Sequence, residues 1–365
     1  MDKPEPKKYL KNIMPYKGGV SNIEGIDKIY KLSSNENSLG PSESALKKYQ
    51  EESINLSLYP DSGNRELIDS ISKKYSLESD RIICGCGSDE LLHLLARTYL
   101  NEDDEGLISE NAFAVYPLAI LNSGANVVRA KENALQPNVE DLISNISEKT
   151  KIIFIANPNN PTGSLIKNSD LKKLHSAIPS NVLLVIDAAY SEYVTDPNYE
   201  IGFDLAKENN NIVITKTFSK AFGLAGLRVG WAYCPDDVAK TLLNIKVPFS
   251  VNVAAQKTAI AALEDNKHIQ LSIDHNSKWL RILEDEFAKY EKRGIKIYPS
   301  QCNFVLIEFT LESKIKASDA YNQLCSKGLI TREMQEYNLD NFLRITIGNE
   351  EANLLLIESF KELMI

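Results

Sequence analysis

Between residues 81 and 234 the chain alternates short apolar runs with amphipathic stretches. The runs are 81–84, 106–108, 126–128, 151–156, 182–186, 211–215 and 229–234. They are short and nearly continuous, the pattern of strands buried on both faces. Between them lie stripes at helical spacing. Leu91, Leu92, Leu95, Ala96 and Tyr99 follow Ser88, which is placed to cap their helix, and Leu171, Leu174 and Ile178 form a second stripe. Strands alternating with helices predict an α/β unit with a mostly parallel sheet.

The last hundred residues follow a different rhythm. A long amphipathic helix is expected over 275–293, with Trp279, Leu283, Phe287 and Tyr290 on one face and Gly294 as its stop. Strands are expected at 296–298 and 303–309, then a helix capped by Ser318 and ended by Gly328. A strand at 342–347 and a last helix from Glu350 complete an α+β arrangement. The segment before Asn35 is too short to fold alone and is expected to pack onto this part. The expected division is a large domain over 40–250 and a small one built from 1–39 and 251–365, which suits a chain of 365 residues.

Bulk properties narrow the function. A net charge of −9 repels nucleic acid and anionic membrane surface, although it leaves room for a local basic pocket. No apolar run approaches the length of a membrane span. The first dozen residues are polar and lysine-rich, without a signal-peptide pattern. The five cysteines, Cys84, Cys86, Cys234, Cys302 and Cys325, are odd in number and scattered, with no metal-binding spacing. Free thiols in a reducing cytoplasm are therefore expected.

Ligands of open α/β sheets sit outside the carboxyl ends of the strands, and the unusual polar residues of this chain fall there. The run 81–84 ends in Gly85-Cys86-Gly87-Ser88-Asp89. The run 151–156 ends in Asn157-Pro158-Asn159-Asn160-Pro161-Thr162-Gly163. The run 182–186 ends in Asp187, with Tyr190 three residues on, and 211–215 ends in Lys216-Thr217-Phe218-Ser219-Lys220. Each cluster has an ordinary explanation when taken singly. The first can be a tight turn and a cap, and it carries neither a dinucleotide nor a P-loop fingerprint. The second can be a surface turn. Asp187 can be a cap, and Lys220 and Arg228 can be solvated charges. Together they offer an amine, a carboxylate, neutral donors and a helix start suited to a phosphate monoester. Those are the needs of pyridoxal 5'-phosphate (PLP).

From about Lys31 to Gly348 the sequence resembles the class I/II aminotransferases of PLP fold type I. The most specific stretch is Thr217-Phe218-Ser219-Lys220-Ala221-Phe222-Gly223-Leu224-Ala225-Gly226-Leu227-Arg228-Val229-Gly230. Within that group it looks most like the histidinol-phosphate aminotransferase family. Leu32-Ser33-Ser34-Asn35-Glu36-Asn37, Tyr59-Pro60-Asp61, Gly87-Ser88-Asp89-Glu90 and Leu343-Arg344-Ile345-Thr346-Ile347-Gly348 carry that closer likeness. The resemblance implies a large domain with a mostly parallel seven-stranded sheet and a smaller α+β domain. It implies that Lys220 is the Schiff-base lysine and proton carrier, and that Asp187 pairs with the pyridine nitrogen. Asn160 and Tyr190 would bond the phenolic oxygen, and Phe113 would stack on the ring. Ser88, Asp89, Ser219 and Arg228 would hold the phosphate, with Tyr59 reaching it from a second subunit of a two-fold homodimer. Arg344 would bind the α-carboxylate of glutamate, while Arg332 and Tyr16 would face the far end of the substrate. No metal is implied.

The implied activity is exchange of an amino group between histidinol phosphate and 2-oxoglutarate, giving imidazole acetol phosphate and glutamate, in cytoplasmic histidine biosynthesis. Three departures loosen that specificity. Ser38 stands where the family often has proline, Ala188 where it often has an acid, and Ala112-Phe113 where Thr-Phe is usual. The last resembles a branch that also accepts aromatic amino acids, so an aromatic transaminase is the nearest alternative. A PLP-dependent decarboxylase of a phosphorylated amino acid is an alternative from another class. A regulator built on this fold would need a DNA-binding module, for which the chain has no basic segment.

Overall fold

The seven apolar runs become one sheet because alternate residues of each central strand feed two different cores. The structure, a computed structural model, describes residues 3–16 and 18–365. The strands are β1 (Ile82–Gly85), β2 (Glu105–Ser109), β3 (Asn126–Ala130), β4 (Thr150–Ala156), β5 (Leu183–Asp187), β6 (Ile212–Thr217) and β7 (Gly230–Tyr233). In β4, Ile153 and Ile155 join the cluster on one face while Ile152 and Phe154 join the other. In β5, Leu184 and Ile186 oppose Leu183 and Val185 in the same way. A strand with two apolar partners has no polar face, so its sequence shows no alternation.

The strand order is β1-β7-β6-β5-β4-β2-β3. All neighbours are parallel except β7, which runs antiparallel to both β1 and β6. Two reversals restore direction, so β1 points the same way as β4, β5 and β6. Register places Gly230 abreast of both Gly85 and Thr217, Asp187 abreast of Ala156, and Thr215 abreast of Asp187. Four strand ends bearing polar clusters therefore share one edge of the sheet.

The C-terminal part is an antiparallel sheet of β8 (Ile295–Tyr298), β9 (Phe304–Phe309), β10 (Arg332–Met334) and β11 (Leu339–Thr346), in the order β8-β9-β11-β10. Its helices include α2 (Asn266–Ala288), α3 (Ala317–Ser326) and α4 (Glu350–Leu363); α1 (Gly87–Tyr99) belongs to the large sheet. Trp279, Leu283 and Phe287 of α2 pack with Ile307, Ile345 and Phe360. The N-terminal segment joins here: Tyr30–Lys31 pairs in parallel with Leu329–Ile330, and the Thr346 amide donates to the Leu32 carbonyl. Ile269, at the start of α2, and Ala255 and Ala259 of the preceding helix lie in the core of the large sheet.

Three helix starts differ from expectation. α2 begins at Asn266, nine residues before His275, because Asp265 caps it by accepting from the His268 amide. Its first turns bury only Ile269 and Ser272, too little for an apolar stripe to register. α1 starts at Gly87, so Ser88 is inside its first turn rather than its cap. The Cys86 amide is satisfied by the Glu90 carboxylate, and Gly87 adopts φ +78°, where a side chain is strained. α3 is preceded by Lys316, which leaves Ser318 also within the helix.

Candidate active site

Every residue to which the resemblance gives a role in the site, except Tyr59, lines one cavity of about 360 Å³ at the shared strand edge. Lys220 follows β6 and is half-buried, with Nζ 3.4 Å from the Ser34 carbonyl oxygen and 5.4 Å from the centre of the Tyr190 ring. Burial pushes its amine down to about 8. The Arg344 and Arg228 charges add to this, against the opposing effect of Asp89 and Glu36. An amine in that range gives up and takes back a proton near neutral pH.

Asp187, the last residue of β5, is buried, and burial raises its carboxyl to about 6. One oxygen, Oδ2, accepts from the Tyr116 hydroxyl at 3.0 Å. The other, Oδ1, is buried and makes no hydrogen bond of ordinary geometry among the described residues, although the Thr215 hydroxyl and the Ala189 amide act on the carboxyl against the effect of burial. An orphaned carboxylate oxygen is costly unless a donor arrives. A protonated ring nitrogen supplies such a donor.

Tyr190 is buried, and desolvation holds its phenol well above the ordinary range. It therefore keeps its proton. Its oxygen already accepts from Asn35 Nδ2 at 2.9 Å, so the proton is directed onward as a donor. Asn160 is oriented likewise: its Oδ1 accepts from Arg344 Nη1, which leaves its amide hydrogens to donate. A phenolate oxygen is the natural acceptor for both.

The first-turn amides of α1 have no acceptor within the helix. Arg228 faces them, with φ +55° in the left-handed region. It is held there by bonds from Nη1 to Ser219 Oγ (3.2 Å) and the Ala225 carbonyl (3.1 Å), and from Nη2 to Asp89 (3.2 Å). Two glycines allow this approach. A Cβ on Gly87 would lie 2.4 Å from Arg228 Nη2, and one on Gly230 would lie 2.2 Å from the Ser88 nitrogen. The result is a cradle of amides, a hydroxyl and a guanidinium, a donor set for a phosphate monoester.

On the opposite wall, antiparallel register sets Arg332 of β10 directly beside Arg344 of β11, and both are buried. Arg344 Nη2 donates to the Ser33 carbonyl at 2.9 Å, and its guanidinium lies 5.3 Å from the Phe304 ring centre. Arg332 pairs with Glu336 and lies 5.8 Å from the centre of the Tyr16 ring. Phe113 sits edge-on to Tyr116, with ring centres 5.7 Å apart. Tyr59 stands apart: it is 84% exposed and stacks on Phe249 at 4.7 Å.

Tyr116 and Asn35 complete the site without having been assigned a role from the sequence. Tyr116 lies in the helix Val115–Asn122 and is fully buried. Asn35 appears only within a quoted motif. The orphan Oδ1, the two aimed neutral donors and the glycine-lined cradle together fit PLP, with Asp187 for the ring nitrogen, Tyr190 and Asn160 for the phenolic oxygen, and the α1 start for the phosphate.

Comparisons with known proteins give the family. The family model for aminotransferase class I and II matches residues 27–360. A histidinol-phosphate aminotransferase of Rhodopseudomonas palustris (strain BisB5) is 43% identical over 365 residues, covering 100% of this chain and 99% of the relative. The crystal structure of the histidinol-phosphate aminotransferase from Clostridium acetobutylicum superposes with a TM-score of 0.84 at 26% identity, over 92% of this chain and 99% of that one. The one from Sinorhizobium meliloti, in complex with pyridoxal-5'-phosphate, superposes with a TM-score of 0.90 at 22% identity, over 100% and 98%. By sequence along its length and by the fold that carries its site, the chain belongs to the class I and II aminotransferases.

Proposed function

We propose that this chain uses PLP to exchange an amino group between histidinol phosphate and 2-oxoglutarate, yielding imidazole acetol phosphate and glutamate, as a step of histidine biosynthesis. The observation that carries the reading is the pair Arg332 and Arg344, buried side by side on the wall of the cavity that holds Lys220. Glutamate brings carboxylates and histidinol phosphate a phosphate. A guanidinium grips either anion with two parallel N–H groups, so one pair serves both half-reactions in turn.

Bound in this cavity, PLP supplies an aldehyde and a ring that accepts electrons. The chain supplies the rest. Asp187 stabilises positive charge at the ring nitrogen. Tyr190 and Asn160 would donate to the phenolic oxygen, and Phe113 would stack on the ring. Ser88, Asp89, Ser219 and Arg228 would hold the phosphate. Arg344 orients the α-carboxylate, and Arg332 with Tyr16 meets the far end. Lys220 Nζ then removes the proton from the substrate Cα, which its lowered basicity allows near neutral pH.

The test is half-reaction spectroscopy on the purified protein. Glutamate is expected to convert the bound cofactor to its amine form, and imidazole acetol phosphate to restore the aldehyde. Failure of the second conversion overturns the substrate assignment while leaving the aminotransferase intact. Comparison of kcat/KM for histidinol phosphate and phenylalanine separates the proposal from an aromatic transaminase, and an absence of CO2 release separates it from a decarboxylase.

We also propose a homodimer with shared sites. Ile54, Leu56, Leu58 and Tyr59 are 66–84% exposed, an apolar run unusual for a free surface. Tyr59 lies outside its own chain's cavity and would offer its hydroxyl to the phosphate in a partner's. Sedimentation at micromolar concentration is expected to give a dimer, and Leu56→Asp to give monomers with little activity. A fully active wild-type monomer sinks this reading. The division into 40–250 and 1–39 with 251–365 is kept as a proposal, with the join running through the residues before and within α2. Among the described residues no helix is long and apolar enough to cross a membrane, and all five cysteines are free thiols. A cytoplasmic location is proposed with the biosynthetic role and not from these absences.

A further inference from the structure

The two arginines of the cavity wall are held in different ways. Arg344 donates to neutral oxygens, Asn160 Oδ1 and the Ser33 carbonyl, and its Nε is buried without a partner among the described residues. Arg332 donates through Nη2 to the carboxylate of Glu336. Glu336 belongs to the short turn Gln335–Tyr337 that links β10 to β11. Its side chain is 24% exposed, that of Arg332 only 8%. A second cavity of about 710 Å³ adjoins the first, sharing Tyr16, Arg332 and Tyr337 with it. Glu336 lines this outer chamber and not the inner one. Arg332 thus faces both chambers, with a counter-carboxylate on the outer side.

We infer that Glu336 sets the choice between substrates with an anionic far end and substrates with a neutral one, by holding part of the charge of Arg332. A far-end phosphate or carboxylate competes with Glu336 for the guanidinium. A far-end aromatic ring meets an arginine whose charge is already balanced, and escapes the cost of leaving a buried cation unpaired. Glu336 acts through Arg332 and is a positioning residue, not a catalytic one. The inference rests on the reading of Arg332 as the far-end arginine given above. It supplies a physical route to mixed specificity in a single pocket.

The experiment compares wild type with Glu336→Gln, which removes the charge and keeps the shape. The readout is competitive inhibition of glutamate turnover by glutarate, with an anionic far end, and by 3-phenylpropionate, with a neutral one. Because the pair is partly solvated, Glu336→Gln is expected to tighten glutarate roughly fivefold and to lower KM for glutamate by about the same factor. Loss of uniform competition should leave kcat unchanged, and 3-phenylpropionate, which then meets an unbalanced guanidinium, should bind no more tightly than to wild type and up to about fivefold more weakly. Glu336→Asp keeps the charge and is expected to retain the wild-type preference. Equal shifts for both inhibitors, weaker glutarate binding, or an Asp variant that behaves like the Gln variant each overturn the inference. Should Glu336→Gln fold poorly, Glu336→Ala is read by the same criteria. None of these measurements uses histidinol phosphate, so the inference and the substrate assignment fail separately.

Discussion

Lys220→Arg is expected to lower transamination on the order of 10⁴-fold or more, with the fold and the phosphate cradle intact. Three features of the site set that magnitude. The Lys220 amine is shifted down to about 8 by burial and by Arg344, so a useful fraction is neutral near physiological pH. A guanidinium stays protonated throughout and can neither condense with an aldehyde nor accept a proton from carbon. Proton transfer by a positioned base alone contributes about 10²–10⁴-fold, and loss of the nucleophilic amine adds to it. The phosphate cradle proposed at the start of α1, Ser88, Asp89, Ser219 and Arg228, is untouched by the substitution, so the variant should still bind the cofactor reversibly. Two readouts check this. Borohydride should fix the cofactor covalently to wild type and not to the variant, and single turnover with glutamate should nearly vanish. A variant with activity within about a hundredfold of wild type would show that another group moves the proton.

The parts of the fold that were legible in the sequence share one property: their side chains are committed on both faces. β4, β5 and β6 are buried along nearly their whole length, so their apolar runs are continuous and their ends are marked by abrupt polarity. That polarity drew attention to Asn160, Asp187 and Lys220, which each follow such a run, whereas Arg228, Arg332 and Arg344 were singled out through resemblance to the family. Elements with a thin buried stripe were shortened. β11 begins at Leu339, three residues before its apolar stretch, where Asp340 and Asn341 are exposed at the sheet end. The first turns of α2 were lost for the same reason. Contacts that depend on tertiary closure left no local mark. Tyr116 meets Asp187 across 71 residues and Asn35 meets Tyr190 across 155. The Arg332–Glu336 pair has helical spacing in the sequence but forms across the end of a strand and a tight turn. Spacing suggests such a pair, and only the β10–β11 register makes it part of a substrate wall.

Asp187→Asn should separate stability from catalysis at a single atom. In the cofactor-free protein the Asp187 carboxyl is raised to about 6 from a reference of 3.8, chiefly by burial, with Oδ1 left unpartnered. For an acid shifted upward, the folded state binds the proton more tightly than the unfolded state. Stability is therefore greatest below the unfolded value and is lost as pH rises through about 4 to about 6, after which the full cost persists. The shift corresponds to about 3 kcal/mol at neutral pH. Asparagine has no such titration and still accepts from Tyr116 through its carbonyl oxygen. Cofactor-free Asp187→Asn is thus expected to match wild type near pH 4 and to exceed it in urea midpoint near pH 7. Activity should move the other way. On the proposed reading Asp187 holds a counter-charge for the cofactor's ring nitrogen, and removal of one preorganised electrostatic partner costs roughly 10²–10³-fold in kcat. A variant that is inactive but no more stable at pH 7 would mean that Oδ1 finds a partner in the folded protein. A stable variant with wild-type kcat would remove Asp187 from the cofactor's ring nitrogen altogether.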